Sequence, residues 1–218
     1  MNYSKELEKL LQNESIKGNR LFLHSCCAPC SSSVLEYLAP FFRITVFYYN
    51  PNITAFEEYR HRVEEQKRLI CAYNEALPNG TKGYPIEMID GDYEPKTFLS
   101  KVKGLEDCPE RGERCFICYE LRMRKTASLA KELGMDYFAT TLTLSPLKDA
   151  AALNEIGFML EEELGIPYLA SDFKKKGGYQ RSVELSKQYD LYRQDFCGCA
   201  FSKAQREKEK SIGNILPI

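Results

Sequence analysis

Apolar, β-branched and aromatic runs recur along the chain at RLFLHS (20–25), RITVFYY (43–49), YPIEMID (84–90), DYFATTLT (136–143) and IPYLAS (166–171), each the length of a buried strand. Between most of them lie stretches with helical spacing of apolar positions: SSVLEYLAPFF, FEEYRHRVEEQKRLICAYNEAL, TFLSKVKGL, ICYELRMRKTASLAKELG and AAALNEIGFMLEEELG. Strands alternating with helices of this length predict an α/β fold, a mostly parallel sheet with helices on both faces. Gly134 and Gly165 end two helical stretches just ahead of strands, where a left-handed closing residue is favoured. No repeat, low-complexity linker or composition break divides the 218 residues. One α/β domain over 1–218 is therefore expected, its segment from about 173 to 218 closing over the sheet.

Hydrophobic residues make up 44% of the chain and charged residues 28%, enough for an ordinary globular core. The opening MNYSKELEKLLQNESIKGNR lacks the apolar centre of a signal peptide, and no stretch reaches the roughly 18 apolar residues of a membrane span. This predicts a soluble, cytoplasmic protein with no membrane partner. A net charge of -1 argues against capture of nucleic acid by bulk charge and leaves that role to local basic patches. The charged run YRHRVEEQKR reads as a solvated helix face, with His61 on the surface.

Nine cysteines in a reducing compartment point to metal or redox chemistry rather than structural disulfides. Cys71 stands apart and is expected to fill a helix's apolar side; the others are grouped. Cys26, Cys27 and Cys30 follow the first strand, where ligands bind in open α/β sheets, and Ser31 to Ser33 suit the cap of the next helix. The helix start favours thiolate over thiol. The glycines of a phosphate-binding turn are absent. Cys115 and Cys118 form a C-x-x-C pair at the head of another helix, with Cys108 on the loop before it; structural zinc or a redox pair explains that spacing as well as a cluster does. Together with Cys26 and Cys27 the pair supplies four thiolates, the complement of a 4Fe-4S cluster. Cys197 and Cys199, one glycine apart, suit a readily reduced disulfide or a second metal.

The segments HSCCAPC, YNPNI, GERCFICYELRM, TTLTLSP, KKKGGYQRS and YRQDFCGC, in this order over roughly residues 20 to 202, resemble the QueH-type epoxyqueuosine reductases. The resemblance implies a Rossmann-like fold similar to adenine nucleotide alpha hydrolase-like domains. It implies cobalamin-independent removal of the epoxide oxygen from epoxyqueuosine at the tRNA wobble position, with electrons from an unidentified donor. It places the 4Fe-4S ligands on Cys26, Cys27, Cys115 and Cys118 and a redox-active pair on Cys197 and Cys199. Cys30 exceeds that four-thiolate count and is expected near the substrate or near a second metal, an additional iron ion for which Cys30, Cys197 and Cys199 are the candidate ligands. Asp195, Tyr192 and His24 are the candidate proton donors by motif position, His24 being equally suited to a buried structural role.

Substrate contacts are expected from Tyr49, Asn50, Asn52 and Thr141 on the strand rim, and from a mobile basic loop of Lys174, Lys175, Lys176 and Arg181 facing tRNA phosphates. Arg111, Arg114, Arg122 and Arg124 near the cysteine helix are further phosphate candidates, and Tyr48, Tyr49, Tyr119 and Tyr179 are candidates for base stacking. Two other readings compete. An iron-sulfur sulfonucleotide reductase shares the CC pair and distant C-x-x-C but not the CGC end, and a zinc-stabilised RNA-binding module requires fewer thiols than are grouped here.

Overall fold

A computed structural model describes residues 2–77 and 83–211. Residues 212–218 of the closing segment lie outside the described residues. Four strands, β1 (Asn19–His24), β2 (Phe42–Tyr48), β3 (Glu87–Asp90) and β4 (Tyr137–Thr140), form one sheet in the order β3-β2-β1-β4, and every pair is parallel. Chain order runs outward from β1 to β2 and β3, then returns to place β4 on the other side. The carboxyl ends of β1 and β4 thus flank the switch point, where an open parallel sheet leaves a crevice.

Alternation along β1 sends its side chains into two separate cores. Leu21 and Leu23 pack with Leu35 and Leu38 of α2 (Ala28–Leu38) and Leu69 of α3 (Phe56–Ala76) on one face. Phe22, between them, points to the other face, stacking on Phe47 at 5.2 Å and joining Met123 of α5 (Glu113–Glu132) and Leu153 of α6 (Ala150–Leu164). The short α4 (Pro95–Lys101) precedes α5; further along, α7 (Gly178–Gln188) packs on α2, and α8 (Ala200–Ser211) ends the described chain.

Three apolar runs are cut short, each by a side chain that captures backbone groups. Asn74 exchanges two 2.9 Å hydrogen bonds with Ile86, so β3 begins only at Glu87. The Thr140 hydroxyl accepts from Leu142 N at 3.2 Å and turns residues Thr141–Leu144 into a 3₁₀ turn. IPYLAS makes only a single parallel bridge, Phe138 to Tyr168. Pro167 has no N–H for the ladder, and Ser171 N donates to buried Asn154 Oδ1 at 3.0 Å instead. The apolar-period reading also omits α1 (Tyr3–Leu11), α7 and α8. Ser31 to Ser33 lie inside α2 rather than capping it, because Cys27 is the N-cap and Pro29 occupies the first turn. Cys71 is exposed, one position past Ile70, which faces the core.

Gly157 lets α6 approach its neighbours, since a Cβ there would lie 2.2 Å from the Tyr168 ring. Gly157→Ala should lose about 1 to 3 kcal/mol of stability by overpacking. Urea denaturation monitored by circular dichroism checks this; an unchanged midpoint would mean that the ring moves aside freely.

Candidate metal centre

The loop leaving β1 is fixed before any ligand is considered. Ser25 N continues the strand ladder to Phe47 O at 2.9 Å, and Asn50 Nδ2 donates to Ser25 O at 2.8 Å. The Ser25 and Ser31 hydroxyls lie 2.6 Å apart, and both reach the buried Gln66 Oε1, at 2.7 and 3.0 Å. Beneath the loop His24 is wholly buried; its Nε2–H donates to Tyr49 O at 3.1 Å and its Nδ1 accepts from Thr140 at 3.0 Å. Burial, with Arg122 nearby, lowers the imidazole to about 3, so it is neutral and both nitrogens are occupied. His24 acts here as a strut.

The sulfurs of Cys26, Cys27 and Cys30 lie within 4.8 Å of one another, and those of Cys26 and Cys27 are 3.8 Å apart. Tetrahedral coordination with bonds of about 2.3 Å separates two sulfurs by about 3.8 Å, so the spacing fits a shared metal. The three thiols are shifted in opposite directions. Cys27 is held well below the ordinary thiol range by hydrogen bonds from Cys26 and Cys30 and by the Arg62 guanidinium. Cys26 is pushed up to about 12, first by its bond to Cys27, and Cys30 well above its usual range by Cys26 and Cys27. Thr141 supports the group, its Oγ1 accepting from Cys26 N at 3.3 Å.

The cleft over this trio is also lined by Cys197, and a smaller cavity beside it is lined by Cys115, Cys118, Cys197 and Cys199. Arg122, Lys148 and Glu110 belong to both walls. Cys115 and Cys118 stand in the first turns of α5, where burial raises both thiols, Cys118 to about 11. Cys197 and Cys199 are free thiols, and burial raises Cys199 to about 12. Their turn is seated by Asn52 Nδ2 on Cys197 O at 3.2 Å, Arg62 Nη1 on the same oxygen at 3.4 Å, and Ser202 Oγ accepting from Cys197 N at 3.1 Å. Gly198 is required twice, by its φ of 106° and because a Cβ would lie 2.8 Å from Ile53. Cys108 lines neither cavity.

Other residues singled out from the sequence fall elsewhere. Asp195 lines the cleft, but its ion pair with Lys210 holds the carboxyl below the ordinary range, leaving it ionised at neutral pH. Tyr192 directs its hydroxyl to Glu58 at 3.2 Å, and burial raises its phenol. Tyr49 donates to Glu94 at 2.9 Å beneath the rim. Lys174, Lys176 and Arg181 are paired with Asp172, Glu8 and Glu36 in an ordered turn, and Lys175, Lys176 and Arg181 line a separate cavity between α1 and α7. Arg114 and Arg122 are buried and so cannot serve as surface phosphate contacts, Arg111 reaches the Pro146 and Leu147 carbonyls, and Arg124 pairs with Glu120 and Glu163. Tyr48, Tyr49 and Tyr119 are buried too; Tyr179 alone of the four tyrosines lines the cleft.

Arg62 and Gln66 were hidden inside the run read as solvated. Both are buried, and their signal was phase: with Tyr59, Val63, Ile70 and Tyr73 they make one helical stripe. Buried Lys148 and half-buried Glu110, 3.0 Å apart, come from two loops and carry no such signal.

Fold and site together define an α/β protein with a thiol cluster able to hold a metal at its switch point. A family model described as epoxyqueuosine reductase QueH matches residues 21–205. The chain is 40% identical to the epoxyqueuosine reductase QueH of Streptococcus pyogenes serotype M1 over 90% of its length and 75% of that protein's. It is 41% identical to the one from Staphylococcus epidermidis over 93% and 84%, and 32% identical to the one from Thermotoga maritima over 87% and 93%. The chain belongs to the QueH family of epoxyqueuosine reductases.

Because Cys26 and Cys30 hold their protons in the metal-free trio, a bound cation must displace them. Zinc or cobalt affinity should rise with pH across the neutral range, by about tenfold per unit for each proton released. Calorimetry in buffers of different ionisation enthalpy measures the release, and pH-independent binding would exclude the trio as ligands.

Proposed function

We propose that this protein removes the epoxide oxygen of epoxyqueuosine in tRNA, giving the cyclopentene of queuosine. The observation that carries the reading is the convergence of three cysteine groups, far apart in sequence, on two adjoining cavities at the switch point of a QueH-family chain. The relatives' names supply the substrate; the thiols supply a means of handling electrons. The balance is one epoxide, two electrons and two protons giving one alkene and one water.

The donor set, sulfur only and paired across loops, fits iron-sulfur ligation, and we assign a 4Fe-4S cluster to Cys26, Cys27, Cys115 and Cys118. Bound there, the cluster would supply electrons one at a time. Cys197 and Cys199, with Cys30, remain for a dithiol redox pair or an additional iron ion. Lys148 keeps its cationic head buried against Glu110 at 3.0 Å, placed to stabilise negative charge on the departing oxygen. Leu142, Leu144 and Phe196 wall the cleft and exclude water from that charge. Lys175 makes no ion pair among the described residues and is the member of the KKKGG turn free to meet tRNA phosphate, while Tyr179 at the cleft can stack on a base. No helix among the described residues is long and apolar enough to cross a membrane, and we place the enzyme in the cytoplasm with its tRNA.

The test is single-turnover conversion of epoxyqueuosine tRNA by anaerobically reconstituted, pre-reduced protein, with iron and sulfide measured on the same samples. Cys26→Ala, Cys27→Ala, Cys115→Ala and Cys118→Ala should each lower iron and sulfide content. Cys197→Ser and Cys199→Ser should keep both and lose turnover. Wild-type protein that binds only zinc and converts nothing would sink the reading. Separately, Lys175→Glu should weaken tRNA binding and reduce the slope of log affinity against log salt by about 1; an unchanged slope would assign that side chain to solvent.

A further inference from the structure

Arg122 lies on α5 one turn beyond Cys118 and is only 1% exposed. Its Nε donates to Cys118 O at 3.1 Å, its Nη1 reaches Asn50 Oδ1 at 3.5 Å, and its Nη2 has no partner among the described residues. The guanidinium is held over the Tyr119 ring, 5.9 Å from the centroid. Other buried cations of the site are matched: Arg62 by Glu58 at 2.6 Å and Lys148 by Glu110 at 3.0 Å. Arg114 spends its donors on the Leu105 and Glu106 carbonyls and stacks on Phe201. Arg122 has no carboxylate within ion-pair distance among the described residues. A guanidinium cannot escape the penalty of burial by losing its proton, so an anion must offset it. Arg122 forms part of both cavity walls, and the groups there able to supply negative charge without an existing partner are the cysteines.

We propose that Arg122 is the fixed counter-cation of the thiolate metal centre, a positioning residue that balances its negative charge from between the two cysteine cavities. The inference rests on the metal reading above. It assigns Arg122 a role unrelated to tRNA phosphate, and it makes the arginine's effect on the protein depend on whether the centre is loaded. In loaded protein the cation offsets thiolate charge. In metal-free protein the same buried cation has no carboxylate partner among the described residues, and its Nη2 is without a hydrogen bond there. Removing a positive charge beside a centre that gains an electron also makes that electron harder to add.

The experiment compares wild type, Arg122→Met and Arg122→Lys, full-length, each metal-free and after anaerobic reconstitution with iron and sulfide. Arg122→Met should raise the melting temperature of the metal-free protein and lower that of the loaded protein. Its midpoint potential, from titration of the visible absorbance with dithionite and mediator dyes, should shift to more negative values. Arg122→Lys should restore the wild-type sign of both effects. If Arg122→Met does not fold, Arg122→Gln, which keeps a donor for the Cys118 carbonyl while removing the charge, carries the same comparison. A melting shift of one sign in both states, with an unchanged potential, overturns the proposal and makes Arg122 a packing residue. Wild-type protein that binds no metal overturns the metal reading and this inference together; wild type that loads normally beside an indifferent variant overturns this inference alone.

Discussion

The site depends on one buried guanidinium. Arg62 reaches Glu58 at 2.6 Å, the Phe196 and Cys197 carbonyls at 3.4 Å, and the face of the Phe196 ring, 5.2 Å from its centroid. It also favours the charged form of Cys27. A single side chain of α3 therefore fastens the last cysteine turn to that helix and adds to the hydrogen bonds that favour the charged form of Cys27. Its own burial is tolerable because Glu58 and two carbonyls satisfy it. Without that clamp, the hydrogen bonds that hold the CGC turn at the rim among the described residues would come from Asn52, Ser202 and a long Thr54 N to Gly198 O bond, 3.4 Å.

The parallel topology explains why the clamp is where it is. A central strand buried on both faces must be apolar throughout, so chemistry is excluded from the sheet and concentrated at the strand ends. At the ends of β1, β2 and β4 short polar side chains take over from the ladder: Asn50, Thr140 and Thr141 each satisfy backbone or ring groups that the sheet no longer pairs, and Ser25 meets Ser31 and Gln66. Polar residues buried in this way hold the loops still, which keeps the cysteines together before a cation arrives.

What the sequence revealed follows the same division. Four of five strand runs and the long helices were visible because burial demands a period, and the three cysteine groups were visible because their spacing is dense. Side chains that end elements were not visible: Asn74 and Asn154 are ordinary helical asparagines until the segment they capture is folded against them. Arg62 and Gln66 were obscured by charged neighbours although they share phase with an apolar stripe. The convergence of Cys197 with Cys26 is a long-range fact, and no local pattern encodes which loops meet. The basic KKKGG turn showed the opposite error, since its composition suggested free charge while folding pairs Lys174 with neighbouring Asp172, Lys176 with Glu8 and, in the helix that follows, Arg181 with Glu36.

The cleft is walled by residues from Cys26 to Cys197, nearly the ends of the folded chain. On a ribosome, the first cysteine loop and α5 emerge well before the CGC turn exists, and the wall they share with it cannot form until that turn has followed. An incomplete chain exposes Cys26, Cys27 and Cys30 as neighbours without their roof. The cleft is therefore completed from its carboxyl-terminal side, and the trio gains its Cys197 wall last.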